Sequence, residues 1–223
     1  DYCEKFYNRT IDLIDKFNPD LLYFDDTALP LWPVSNVGLE IAAYLYNKSL
    51  DRQGNPQSVI TGKILDKEQR KALVWDIEKG QSNTIEPLPW QTDTCIGSWH
   101  YDKGVYRDKR YKTAKQVIHS LIDVVSKNGN LMLNIPVKGD GSIDELERAI
   151  VEEIGVWMNL NGDSIYGTRP WKIFGEGPQQ ESAAALTAQG FNEGKGKAFT
   201  SQDIRFVTKG DKLYATVMSW PDD

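Results

Sequence analysis

A chain of 223 residues that is 40% apolar and 26% charged has the balance of one folded domain or slightly more. Its formal net charge of -6 argues against a nucleic-acid partner, which selects for basic patches, and no apolar run is long enough to span a bilayer. The only cysteines are Cys3 and Cys95 and the only histidines His100 and His119, which offers no disulfide framework or zinc spacing and few candidates for a Ser-His-Asp triad.

No metal site is expected, and any acid–base chemistry falls to the 32 carboxylates. The seven Trp and ten Tyr are many for this length. They fit either buried aromatics or rings that stack on the apolar face of a sugar. The chain opens with Asp1 and shows no signal peptide, so it is either a mature start or the interior of a longer protein.

In chain order, Phe6, Thr10, Leu13, Ile14 and Phe17 share a face and predict a helix over 1–17, broken by Asn18-Pro19-Asp20. Leu21 to Asp25 reads as a short buried strand. A loop with Pro30 and Pro33 follows, then a helix over 37–47, a strand over 58–61 and a short helix over 67–73. Residues 75–101 read as a long connection with one strand over 90–95, and long connections on compact scaffolds are often functional.

Val117, Ile118, Leu121, Ile122 and Val125 predict a helix over 114–127, stopped by Asn128-Gly129. A strand over 131–135 comes next. Ser142-Ile143-Asp144-Glu145 has the form of a capping box for a helix with Leu146, Ile150, Ile154 and Trp157 on one side, which makes Trp157 a core residue. Residues 164–166 read as a last short strand. The alternation of strand and helix predicts an α/β fold with a parallel sheet, and no glycine-rich phosphate loop follows any strand. The expected architecture is the C-terminal half of a (β/α)8 barrel over 1–173, since a whole barrel needs about 250 residues. Over 174–223 the composition shifts, and Lys209-Gly210-Asp211-Lys212 between two alternating stretches predicts the opening hairpin of an antiparallel β-sandwich.

Asp25 is the first candidate for catalysis, because barrel enzymes place reactive groups at the C-terminal ends of buried strands. Capping of the following loop would equally explain an aspartate there. Asp25 and Asp26 point to opposite sides of an extended chain and cannot share a role.

Leu21-Leu22-Tyr23-Phe24-Asp25-Asp26 resembles the strand-end motif of the family 29 glycoside hydrolases, the α-L-fucosidases. The stretch from Asn128 to Val137 with Gly139 to Ile143, and the stretch from Trp157 to Pro170, are similar to two further blocks of that family. Together the similar stretches cover most of residues 7–173. The resemblance implies a retaining exo-α-L-fucosidase that acts through a covalent glycosyl-enzyme intermediate, with Asp25 as nucleophile and a second carboxyl about 5 Å away as acid/base. It implies a fucosylated glycan as substrate, no cofactor, and a secreted or periplasmic protein.

The family's Trp-Glu before a Ser-Trp segment reads Trp90-Gln91 here, and a neutral amide cannot exchange the proton. Trp75-Asp76-Ile77-Glu78-Lys79-Gly80 resembles the acid/base loop of other members and offers Glu78, with Glu86 and then Asp93 as fallbacks. A solvated loop carboxylate is the other reading of Glu78. In the same family Trp99 would line the fucose pocket, Lys63 would lie near the sugar and His100 could bond a hydroxyl. A core Trp, a solvated Lys and a surface His are the competing readings. The fucose-holding histidines of the family belong to the part of the barrel outside this chain. Gln91 also leaves room for a lectin-like, fucose-binding relative, and another retaining glycosidase on the same barrel is a third possibility. Oligomeric state and the linkage cleaved are not readable from the sequence.

Overall fold

The computed structural model describes residues 2–25, 30–180 and 191–220. The chain divides into two compact units, Asp1–Asp76 and Ile77–Asp223. The expected boundary after residue 173 falls inside the second unit.

In the first unit, helix α1 (Tyr2–Phe17) leads to strand β1 (Leu21–Tyr23), helix α2 (Val37–Lys48), strand β2 (Val59–Gly62) and the start of strand β3 (Val74–Glu78). The strands run parallel, Leu22 facing Ile60 and Thr61 facing Val74. Ile14, Ile41, Leu45 and Ile60 form the core between helices and strands. The face expected of α1 is only partly buried: Ile14 is inaccessible and Phe6 packs on the core, whereas Leu13 and Phe17 are exposed. The expected helix over 67–73 is a single 3-10 turn, Gln69–Lys71.

In the second unit β3 neighbours strand β4 (Trp90–Cys95), which pairs in parallel with strand β5 (Gly129–Asn134). Between β4 and β5 lie the short helix α3 (Lys103–Arg107) and helix α4 (Ala114–Ser126). A capping box opens α4: Thr113 accepts from the Gln116 backbone N–H while the Gln116 side chain accepts from the Thr113 backbone N–H. Its stop is steric as well as conformational. Asn128 takes a left-handed φ of 72°, and a Cβ on Gly129 would lie 2.6 Å from the Trp90 ring.

Helix α5 (Glu145–Asn161) packs Ile150, Ile154 and Trp157 against Ala114, Ile118 and Ile122 of α4, in keeping with Trp157 as a core residue. Its N-cap is Asp144, which accepts from the N–H groups of Leu146 and Glu147, and not the expected Ser142. The carboxylate reaches two orphan donors at once, while Ser142 is spent on Asp140.

Three strand expectations need correction. β1 ends at Tyr23 and is not buried, with Leu21 exposed and Leu22 and Tyr23 half-buried, so Asp25 stands in the connection beyond it. Residues 74–78 are strand β3 and not part of a long loop. Residues 164–166 are not a strand: Gly162–Ser164 is a 3-10 turn, and Gly167 at φ 70° reverses the chain. The strand lies further on, β6 (Arg169–Glu176), and joins β7 (Ile204–Lys209) and β8 (Lys212–Val217) in a three-stranded antiparallel sheet. The β7–β8 hairpin closes on Gly210-Asp211 with Lys209 facing Lys212, as its turn sequence predicts. The alternation of parallel strands and helices, followed by a separate antiparallel sheet, is that of a partial (β/α)8 barrel with an appended β element.

Candidate active site

In the first unit, the loop residues after β1 and β2 bring Asp25 and Lys63 together. The Lys63 Nζ lies 3.1 Å from Asp25 Oδ1 and 3.8 Å from Asp76 Oδ2. The two carboxylates have opposite surroundings: the Asp25 side chain is 74% exposed, and that of Asp76, inside β3, is inaccessible. Asp76 also accepts a 2.7 Å hydrogen bond from the Tyr23 hydroxyl, and the Lys63 ammonium stands 5.9 Å from the centre of the Tyr23 ring. Asp76 therefore fixes a lysine and a phenol from two neighbouring strands. An open carboxylate is left facing solvent with a cation at its side.

Asp76 and Tyr23 are additions to the residues that sequence reasoning selects. The signal lay in Trp75-Asp76-Ile77-Glu78 reading as alternation, which marks a strand with one carboxylate turned inward.

In the second unit, Glu78 is the last residue of β3 and is half-buried. Lys79 follows at φ 42°, donates its N–H to the Asp93 carbonyl at 2.9 Å, and holds its ammonium 4.9 Å from the Trp99 ring centre. Trp99 is half-buried and His100 exposed. The Asn134 amide at the end of β5 donates to the Ser98 and Trp99 carbonyls at 3.3 and 3.1 Å, so β5 fixes the backbone that carries the Trp.

The fallbacks stand elsewhere. Glu86 lies before β4: its backbone bonds Lys127 and Asn128, and its carboxylate accepts from Ser82 Oγ at 2.5 Å. Asp93 is buried in the middle of β4, and Gln91 is buried near its start, opposite Asn130. The family's Trp-Glu position is therefore an interior strand position in this chain.

The fold is that of part of a solved alpha-L-fucosidase: the two superpose with a TM-score of 0.72 at 24% identity, over 99% of this chain and 43% of the other. A family 29 alpha-L-fucosidase from Bacteroides thetaiotaomicron, solved as a trapped covalent intermediate with 2-fluoro-fucosyl fluoride in a glutamate-to-glutamine variant, gives a TM-score of 0.61 at 17% identity. It matches over 99% of this chain and 58% of its own. The tissue alpha-L-fucosidase of Rattus norvegicus is 25% identical over 228 aligned residues, 95% of this chain and 41% of the rat protein. The alpha-L-fucosidase family model matches residues 1–163, and the chain belongs to that family. It spans about two fifths of the length of the curated relatives it matches.

Proposed function

We propose that this chain is the C-terminal part of the catalytic barrel of a retaining exo-α-L-fucosidase, together with the first strands of its C-terminal β domain. The Asp25 carboxylate attacks the anomeric carbon of a terminal α-L-fucoside. The glycosidic C–O bond breaks as Glu78 gives its proton to the leaving oxygen. Water then adds to the same carbon, returns a proton to Glu78 and releases Asp25. Protons and electron pairs balance over the two steps, so no metal or organic cofactor is required.

The observation that carries this reading is Asp25 in the connection just after β1, open to solvent and 3.1 Å from a lysine that also lies 3.8 Å from the buried Asp76. Trp99 offers an apolar face for the fucose methyl group. Lys63 and His100 are the proposed polar contacts to the sugar. The substrate is a fucosylated oligosaccharide or glycoconjugate, and the enzyme works on external glycans as an exported protein. Among the described residues no helix is long and apolar enough to cross a membrane.

Gln91 suggested a lectin-like alternative. Its burial inside β4, while Glu78 stands at a strand end, supports the hydrolase instead. The test is a panel of nitrophenyl glycosides given to the full-length protein. Fucoside turnover lost in Asp25→Ala, with fucose still bound by Asp25→Asn, is the expected result. A preference for another sugar, or turnover that survives Asp25→Ala, would overturn it.

A further inference from the structure

Three consecutive residues from far along the chain bind the backbone that follows Glu78. The Phe191 N–H donates to the Glu78 carbonyl at 3.1 Å, and the Glu193 N–H donates to the Lys79 carbonyl at 2.9 Å. Between them the Asn192 side chain makes a reciprocal amide pair with Gln81. Its Oδ1 accepts from the Gln81 N–H at 2.8 Å and its Nδ2 donates to the Gln81 carbonyl at 3.0 Å. The segment is anchored in turn to β4 and to the loop after it, since the Glu193 carboxylate accepts from Thr94 Oγ1 at 2.8 Å and from Lys112 Nζ at 2.7 Å. The fit leaves no slack: a Cβ on Gly80 would stand 3.0 Å from Asn192 Oδ1 and 3.1 Å from the Phe191 nitrogen.

The connection from β3 to β4 carries no helix. In a barrel a helix ordinarily packs on the sheet between two such strands and sets the geometry of the loop above it. Here, backbone pairing with residues 191–193 does that work for Glu78, Lys79 and Gln81. We infer that Phe191–Glu193 is a positioning latch for the acid/base loop, with Asn192 as its key side chain. The inference rests on Glu78 being the acid/base. An acid/base group must meet the leaving oxygen in one step and a water in the next, and small displacements are costly to both.

The test compares Asn192→Ala, Asn192→Asp and Glu78→Ala in the full-length protein, each on a dinitrophenyl fucoside and on a fucosyl disaccharide. The first leaving group departs without protonation and the second requires it. Asn192→Ala should lower kcat/KM on the disaccharide about tenfold and leave the dinitrophenyl value nearly unchanged. Asn192→Asp keeps the acceptor for the Gln81 N–H and should recover part of the loss. Glu78→Ala should show the same leaving-group pattern more strongly. If Glu78→Ala shows that pattern and Asn192→Ala lowers both substrates equally, or lowers only the melting temperature, the latch is overturned and the acid/base assignment stands. If Glu78→Ala hydrolyses the disaccharide normally, the assignment fails and the latch fails with it.

Discussion

At the residue scale, Lys63 links an exposed carboxylate to a buried one, and its two partners should respond differently to mutation. Lys63→Met removes the cation beside Asp25 and takes one cationic neighbour from the inaccessible Asp76, which also accepts from the Tyr23 hydroxyl. It is expected to lower kcat about tenfold or more and also to cost stability, because a buried charge loses its compensation. Asp76→Asn keeps the shape and an acceptor for Tyr23 but releases Lys63. It should cost kcat with fucose affinity largely retained, and steady-state kinetics with calorimetry separates the two effects.

Asp25 stands out in the sequence because it follows a short apolar run, and Lys63 because the family resemblance implies a basic residue after the second strand. Asp76 and Tyr23 do not, since their contact joins residues 53 apart and depends on strand order and register. Glu86 and Asp93 looked equivalent to Glu78 as carboxylates in one long connection. Only the course of β3 and β4 separates a strand end from a strand interior.

At the scale of elements, two buried carboxylates make opposite predictions. Asp123 of α4 is paired with Lys127 at 2.6 Å and with Arg205 of β7 at 2.6 Å, and all three side chains are almost fully buried. Burial holds the Lys127 ammonium below its usual range, and the Asp123 carboxylate opposes that shift. Asp123→Ala would leave two cations without compensation and is expected to cost about 3–5 kcal/mol, read by denaturant unfolding.

Glu147 in the first turn of α5 is also fully buried, but neither carboxylate oxygen has a hydrogen-bond partner among the described residues. Burial raises its pKa, the nearby Asp144 carboxylate adds to the shift, and the polarity of the nearby Asp144 backbone N–H and the Lys138 charge only partly oppose it. A raised folded-state pKa means that the folded chain holds the proton more tightly. The stability it contributes is full below the ordinary glutamate range and is lost as pH rises through the folded value. Glu147→Gln should therefore match the native chain at acid pH and exceed it in melting temperature at neutral pH. A gap that closes with rising pH would contradict this.

The elements themselves were unevenly legible. β4 matches its expected bounds because Trp90 to Cys95 is a compact run between polar neighbours. β3 is hard to see in the sequence because Asp76 and Glu78 interrupt its apolar residues, and the Lys63 and Tyr23 contacts accompany the buried acid within the strand. β6 was missed because Arg169, Lys172 and Glu176 disguise a strand whose Gly175 is required by the close approach of the Ile204 carbonyl, 2.4 Å from a Cβ built there. The N-terminus of α5 was placed two residues early, because Ser142 and Asp144 are both capping residues and the sequence does not say which one faces the helix.

At the scale of the whole molecule, the chain covers about two fifths of its curated relatives, and the proposed activity belongs to a protein of their length. The alternation of strand and helix and the three sequence blocks were enough to indicate the barrel and the family. The division at Asp76/Ile77 was not foreseeable from composition, since it cuts through strand β3 and follows no glycine- or proline-rich linker. The 223-residue chain expressed by itself is expected to show no fucoside turnover, because it spans only about two fifths of the length of its relatives. Turnover equal to that of the full-length protein in the same assay would refute this.

The proposed mechanism depends most on Asp25 forming the covalent bond to the sugar. The direct measurement is to treat the full-length protein with 2-fluoro-fucosyl fluoride, digest it, and locate the added fluorofucosyl mass by peptide sequencing. The label should fall on Asp25, and Asp25→Ala should not be labelled. A label on any other carboxylate, or full turnover with Asp25 unlabelled, would contradict the account.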